Sequence, residues 1–226
     1  IDDLYAAAVI LWSFIQQRPP NETEIRIYNP DFERYGLQPT HTDVEIIAED
    51  MPFLVDSLRM VINKLGLVSH LVIHMGGLCL ERDKNNHKIT AVLPRGSDKK
   101  SSVSIEAPIF IEIDRQTDPV VLQELHDNFK RVLDDNRAVV EDWPLMREKV
   151  CEAIEELDVA GHVIDSAEME ETKSFLNWIE DHHFTFLGIR DHELIEKDGE
   201  TILQPLPETG LGVLRSNLSQ SSALSI

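Results

Sequence analysis

Acidic side chains cluster where an alternating apolar segment gives way to a helical pattern. Glu49, Asp50 and Asp56 flank this turn, and paired carboxylates can act as general acids and bases. Helix geometry explains them as well, because the positive end of the helix dipole favours negative charge in the first turn. The cluster therefore indicates the start of a helix in preference to a catalytic pair.

Histidines are the next residues that could do chemistry. His70 and His74 lie four residues apart in a segment with the composition of a strand. At this spacing two side chains share one face of a strand but lie roughly 13 Å apart, too far to share a metal ion. His182 and His183 follow a helical pattern, and we interpret them as capping and partly buried polar groups. The sequence thus predicts no metal site.

Motifs for nucleotide binding or nucleophilic catalysis are missing from the sequence. Gly210-Leu211-Gly212 is a bare G-x-G without a third glycine, and we interpret it as a turn. There is no G-x-S-x-G, Walker or H-E-x-x-H motif and no cysteine–histidine constellation. We predict no catalytic and no cofactor-binding residue, and the residues alone indicate an acidic α+β module.

Composition narrows the class of protein and its partners. The 226 residues, 42% of them hydrophobic, suffice for one large or two small domains with a buried core. With 21 Lys and Arg against 41 Asp and Glu, the net charge is −20. We exclude nucleic acid and membrane as partners, because phosphates and anionic lipids repel such a chain.

Cysteine usage and the apolar runs indicate the compartment. Cys79 and Cys151 are too few for a disulfide scaffold, which favours a reducing cytoplasm. The longest apolar run, Leu4 to Ile15, is shorter than the ~20 residues that cross a bilayer. Because the chain begins at Ile1 without a methionine, we expect it to be a segment of a longer protein.

Hydrophobic periodicity predicts the elements that position these residues. In the first half, helices are predicted over 3–17 and 53–65, the latter closed by Gly66, and strands over 23–28, 42–49, 67–75, 78–82, 87–93 and 105–113. Further on, a helix begins at Asp118, a second begins near Pro144 and ends at Gly161, and Asp165 with Glu168 forms the capping box of a third. A strand over 184–194 pairs with 201–206 through a hairpin turn.

This order predicts an α+β fold, in which an antiparallel sheet is covered by helices and a second, smaller αββ unit follows. We predict an N-terminal helix and strand in 1–40, a domain with long helices in 41–162, and the start of a second α+β domain in 163–226.

Four stretches, in this order, resemble the N-terminal region of the large bacterial NAD-specific glutamate dehydrogenases: EDMPFLVDSLRM at 49–60, EIDRQT at 112–117, VEDWPLMR at 140–147 and DHHFTFLG at 181–188. The resemblance covers about residues 40–195 and implies ACT-like, ferredoxin-like regulatory domains. It also implies a longer cytoplasmic parent that converts L-glutamate, NAD and water to 2-oxoglutarate, ammonia and NADH. NAD and the catalytic residues would belong to a domain far downstream. The expected partners are other domains of the same chain and further copies of it.

The resemblance also implies a candidate effector site. ACT domains run strand, helix, strand, strand, helix, strand, and their first strand-to-helix loop resembles Asp-x-Pro-Gly. In amino-acid-binding ACT domains this loop, with the helix N-terminus behind it, holds the ligand carboxylate. The matching effector-binding candidates here are Asp50, Met51, Pro52, Phe53, Leu54 and Asp56.

Phe53 departs from this pattern, because it stands where the family has the glycine that lets a ligand approach. A phenylalanine ring there would fill the space for a ligand. Two functions therefore remain open: a non-catalytic regulatory and assembly segment of the dehydrogenase, or an amino-acid-sensing ACT-like module.

Overall fold

A computed structural model describes residues 2–30, 40–97, 102–160, 165–197, 199–215 and 224–225. The chain divides into two compact units, Ile1–Asp134 and Asp135–Ile226. The first unit contains the helices α1 (Asp2–Phe14) and α2 (Leu54–Lys64) and the strands β1 (Glu24–Tyr28), β2 (His41–Glu49), β3 (Ser69–His74), β4 (Leu78–Arg82), β5 (Ile89–Leu93) and β6 (Val103–Asp114). Helix α3 (Pro119–Ala160) begins in the first unit and ends in the second.

The second unit continues with helix α4 (Ser166–Trp178), a turn over Ile179–His183 in which Asp181 and His182 leave helical geometry, and a 3-10 turn (Pro207–Thr209). Its strands are β7 (Gly188–Ile189), β8 (His192–Lys197), β9 (Glu200–Pro205), β10 (Leu211–Gly212) and β11 (Leu224–Ser225). β8 and β9 form the predicted hairpin, β11 pairs with β9, and β10 pairs with β7. In the described part of the chain, no helix is long and apolar enough to cross a membrane.

Strand β6 is the centre of an antiparallel sheet in the first unit, with the order β1-β2-β6-β4-β5. β2 pairs along one side of β6 from Asp114 to Glu106, whereas β3 and β4 share the other side. From β2 to α3, the order is strand, helix, four strands and helix, which begins like the strand, helix, strand, strand order of an ACT-like domain and adds two strands before the second helix. The outer edge of β2 pairs with β1, which comes from the N-terminal side of the chain.

Pro108 marks the point where the neighbour of β6 changes from β3 to β4. β3 pairs with β6 up to Ile109, and β4 begins its pairing at Glu106. Pro108 accepts a hydrogen bond from the Met75 N–H at 3.0 Å but has no N–H to donate in return. A proline is tolerated in this central strand because the ladder is interrupted there.

Apolar side chains cover both faces of this sheet. One face packs against α2 and α3, with alternate residues of β2 and β6 fully buried among Leu54, Leu58, Val61, Ile62, Leu125, Phe129 and Leu133. The opposite face packs against α1 through Ala7, Leu11 and Ile15, which meet Ile47 and Phe110. The α+β prediction is therefore confirmed, and both α1 and β1 belong to the same sheet assembly.

A buried ionic cluster joins the segment after α1 to the sheet. Glu106 is 0% exposed and lies between Arg18, 2% exposed, and Arg82, 8% exposed. Arg18 donates from Nε to Glu106 at 3.0 Å, and Arg82 donates from Nε and Nη2 at 2.7 Å. Arg82 also donates to the carbonyl oxygens of Ile15 and His87. We call Arg18, Arg82 and Glu106 the buried clamp.

The clamp holds Glu106 in its charged form. Burial alone would raise the pKa of Glu106, but the hydrogen bonds from Arg82 and Arg18 outweigh burial and lower it to about 2. The stability that this carboxylate contributes is therefore complete above the unfolded pKa of 4.5 and is lost as the pH falls through about 2.

Two element predictions in the second half are wrong. α3 runs through Pro144, where a new helix was expected. A proline inside a helix removes one backbone hydrogen bond, but buried Val139, Met146 and Val150 pack on both sides of it. The strand predicted over 184–194 is broken, because the Asp191 N–H donates to Thr209 Oγ1 between β7 and β8.

Asp165 caps α4 as predicted, since it accepts a hydrogen bond from the Ala167 N–H at 3.1 Å, but no bond between the Glu168 carboxylate and the Asp165 N–H completes the capping box among the described residues. The predicted helix end at Gly161 lies outside the described residues. The predicted domain boundaries after residues 40 and 162 stay predictions.

We expect Arg82→Met to lower the free energy of unfolding of the first unit by about 3–5 kcal/mol, because Glu106 loses its strongest partner while buried. Urea unfolding followed by circular dichroism measures this change. The control is Lys130→Met, on an exposed part of α3, for which we expect a change within about 0.5 kcal/mol. Equal stabilities of the two variants at pH 7 would contradict the clamp.

Candidate functional site

The effector candidates form a short loop between β2 and α2. The Asp50 N–H donates to the Ile105 carbonyl at 2.9 Å, which fixes the start of the loop on β6. Leu54 begins α2 and is buried, and Met51 packs against the same core. Pro52 and Asp56 are exposed, with Asp56 in the first turn of the helix.

Phe53 occupies the N-cap of α2 in a left-handed backbone conformation, with φ +65° and ψ +8°. Its side chain makes no capping hydrogen bond, and it is 49% exposed. Only glycine adopts this conformation without steric cost, which gives a physical reason for the glycine of the family pattern. The loop therefore keeps the backbone shape of Asp-x-Pro-Gly although a phenylalanine replaces the glycine.

A cavity of about 360 Å³ lies beside Asp50, lined by Asp50, Gly77, Cys79, Arg95, Gly96, Ser97 and Ile105. Arg95 donates from Nη2 to the Gly76 carbonyl at 2.7 Å, which holds the guanidinium at the wall. A Cβ atom added at Gly76 would lie 3.1 Å from Asp50 Oδ1. One wall thus carries a carboxylate and another a guanidinium, the two charges that complement a free amino acid.

The histidines do not assemble a metal site. His70 Nε2 lies 2.8 Å from Asp114 Oδ1, and its ring centroid is 4.4 Å from that of His41. His183 Nδ1 bonds to the Trp178 carbonyl, a capping role, but His182 and His183 are exposed and not partly buried as expected. Within the ranges that the structure covers, no three His, Cys, Asp or Glu side chains form a group that could hold a metal ion.

Gly210 and Gly212 are explained by close packing. A Cβ atom at Gly210 would overlap the Leu214 carbonyl, and one at Gly212 would overlap the Leu187 carbonyl. The Gly212 N–H donates to Asp142 Oδ2 at 2.7 Å. Gly210 ends the 3-10 turn and Gly212 ends the short strand β10, so the turn interpretation is close and the glycines allow close backbone contacts.

Sequence reasoning missed a buried acidic group on the face of the sheet that α1 covers in part. Asp43 is 2% exposed, and its Oδ2 has no hydrogen-bond partner among the described residues. Desolvation and the nearby carboxylates of Glu112 and Glu45 raise the pKa of Asp43 to about 7. Glu45 is also buried but pairs with Arg26. The sequence of β2 did not indicate this burial, because acidic residues that alternate with apolar residues on a strand normally face solvent.

We expect Phe53→Gly to be more stable than Phe53→Ala by about 0.5–1 kcal/mol. Both variants lose the phenyl ring, but only glycine adopts the left-handed conformation without steric cost. Part of this gain in stability is offset, because glycine has more conformational freedom in the unfolded chain. Thermal and urea unfolding of the two variants side by side measure the difference. An alanine variant at least as stable as the glycine variant would show that the φ of +65° is not held in solution.

Asp43→Asn should stabilise the first unit by about 2–4 kcal/mol at pH 8, because the buried carboxyl no longer has to ionise. A raised pKa means that the favourable contribution of Asp43 is present below 3.8 and is lost as the pH rises through about 7. The gain should therefore vanish below pH 4. Asp127→Asn, on the exposed surface of α3, is the control, and a pH-independent gain at Asp43 would contradict this assignment.

Comparison with known proteins agrees with this fold. The family described as "Glutamate dehydrogenase, ACT1 domain" matches residues 1–129. The NAD-specific glutamate dehydrogenase of Halomonas elongata is 38% identical over 216 residues, 95% of this chain and 13% of that protein. The NAD-specific glutamate dehydrogenase of Pseudomonas aeruginosa is 35% identical over 200 residues, 88% of this chain and 12% of that protein. The chain thus spans about 13% of the length of these relatives, and it belongs to the family of glutamate dehydrogenase ACT1 domains.

Proposed function

We propose that this chain is a non-catalytic regulatory and assembly segment of a longer cytoplasmic NAD-dependent glutamate dehydrogenase. The whole enzyme would oxidise L-glutamate with NAD and water to 2-oxoglutarate and ammonia, with NAD bound in a downstream domain. The names and lengths of the relatives support this placement. The role of the segment itself rests on one structural observation, the open edge of β3.

β3 is an edge strand without charged residues or proline, and its pairing with β6 is irregular only between Ser69 and Leu71. Within the described residues it pairs with β6 only, and residues 69–75, SHLVIHM, contain no Lys, Arg, Asp, Glu or Pro. Leu71 is 37% exposed and Met75 is 42% exposed. Because natural proteins normally blunt such edges with charges or proline, an unprotected apolar edge indicates a pairing surface.

The sequence of β3 favours a second copy of this chain as the partner. Reading from Val72 in either direction gives an aliphatic residue and then a histidine, so the strand is nearly symmetric about Val72. The Met75 N–H bonds to β6, which by alternation directs the backbone groups of Val72 and His74 to the open edge. A two-fold axis at Val72 would pair this residue with itself and Leu71 with Ile73 of the partner subunit, whereas His70 lies in the register shift and outside the regular ladder.

Leu71→Lys should abolish self-association of the chain, since a charge on the paired edge opposes strand addition. Sedimentation velocity over a wide concentration range measures the change. Val92→Lys is the matched control, because Val92 is an exposed apolar residue on the other uncharged edge strand, β5. The assembly role fails if the unmodified chain remains monomeric at the highest concentration, or if both variants dissociate equally.

The cavity beside Asp50 favours a second role, amino-acid sensing at the predicted effector loop. Asp50 would bind the ammonium group of the ligand. Its carboxylate would bind the guanidinium of Arg95, which lines the same cavity. The sensing role and the assembly role can coexist, because the loop and β3 are separate parts of the same unit.

Titration calorimetry with glutamate, aspartate, arginine and 2-oxoglutarate tests this second role. We expect an amino acid to bind and Arg95→Ala to weaken it about tenfold or more, because a charge-assisted hydrogen bond to carboxylate is lost. Arg59→Ala, on the exposed side of α2, should leave the affinity unchanged. No heat with any of the four compounds at millimolar concentration would remove the sensing role.

A further inference from the structure

A second cavity of the first unit lies on the buried clamp. It has a volume of about 190 Å³ and is lined by Arg18, Pro20, Asn21, Glu49, Arg82, Asp83, Lys84, His87, Ser102, Val103 and Ser104. Its lining is separate from that of the cavity beside Asp50, since the two share no residue. We propose that this cavity binds a small oxyanion, either a dicarboxylate or a phosphate group, and that the bound anion tightens the clamp.

The donors in this cavity are arginine N–H groups that are almost completely buried. Arg82 is fully used, because its three nitrogens bond to Glu106 and to the carbonyls of Ile15, Gln16 and His87. Arg18 contacts Glu106 through Nε and Nη2 and donates from Nη1 to the Glu22 carbonyl. A guanidinium has five N–H groups, so two of those on Arg18 have no partner among the described residues.

The balance of charge among the buried groups also favours an anion. Two buried arginines share one buried carboxylate, Glu106, which leaves one buried positive charge in excess, and the carboxylate of Glu49 belongs to the exposed lining. Of the acids at the rim, Asp83 already accepts hydrogen bonds from the N–H groups of Asn85 and Asn86. Lys84 adds a further positive charge at the rim. An oxyanion with two charged oxygens would meet Arg18 on one side and Lys84 on the other.

Backbone strain is concentrated at the same cavity. In the described residues, four non-glycine residues have positive φ, and two of them, Asn21 at +60° and His87 at +57°, line this cavity. Such conformations persist only where the surrounding structure holds them, and they cluster at binding sites. The hydroxyl groups of Ser102 and Ser104 complete a polar lining.

The size of the cavity limits the ligand. Sites for drug-sized molecules have volumes of roughly 300–1,000 Å³, so a cavity of about 190 Å³ takes a compact anion. The clamp joins residues 15–18 to β4 and β6. An anion that bonds to Arg18 would therefore stabilise the attachment of α1 to the sheet, because it binds the folded state only.

Calorimetry of the 226-residue chain with inorganic phosphate and with 2-oxoglutarate, at constant ionic strength set by chloride, tests this proposal. We expect saturable binding of at least one anion and a rise in the melting temperature of the first unit. Lys84→Glu should weaken that binding about tenfold or more. The control is Lys88→Glu, because Lys88 is exposed on the same turn and does not line the cavity.

Binding of phosphate alone, of 2-oxoglutarate alone or of both supports the site and identifies which source of oxyanion it accepts. If Arg95→Ala leaves the anion affinity unchanged, the anion binds in this cavity and not at the effector loop. The proposal for this cavity then holds even if no amino acid binds at the loop. The proposal is overturned if neither anion binds, or if Lys84→Glu and Lys88→Glu weaken the binding equally.

Discussion

One backbone constraint organises the first unit: strand β6 has to satisfy two different neighbours on the same side. Where β3 ends and β4 begins, Pro108 accepts a hydrogen bond from the Met75 N–H and has no N–H of its own to donate. β6 can therefore pair with β2 along its whole other side and still divide its open side between two strands. This division makes β3 a short edge strand, and the proposed assembly surface depends on that position.

Two buried acidic side chains, Glu106 and Asp43, have opposite electrostatic surroundings in the first unit. Glu106 has two arginine partners and stays ionised, whereas burial and then the neighbouring carboxylates raise the pKa of Asp43, whose Oδ2 has no partner among the described residues. The clamp stabilises the attachment of α1, because it links the carbonyl of Ile15 to β4 and β6. The stability that Glu106 contributes is therefore lost in acid, whereas the stability that Asp43 contributes is lost as the pH rises through about 7.

Much of the fold was predictable because apolar periodicity and capping residues act locally. The helix after Pro52, the cap at Asp165 and the strands of the first unit follow from such patterns. Pro144 could not be judged locally, since its cost is offset by buried neighbours along α3. The buried clamp and Asp43 were not predictable either. Their partners lie 24 to 88 residues away in sequence, and the burial of these side chains depends on how the strands pair. For the site, the sequence indicated the loop at Asp50 but not the cavity formed with Arg95.

In the proposed role, this segment would influence a distant reaction through contacts that change with assembly or with a ligand. The edge of β3 is the proposed contact for which the backbone geometry is most specific, because the groups of Val72 and His74 face away from β6. Hydrogen exchange of the Val72 and His74 amides, followed by NMR as the chain is diluted, tests this contact directly. Strong protection at high concentration that is lost on dilution is the expected result. Rapid exchange of both amides at every concentration would contradict a paired edge.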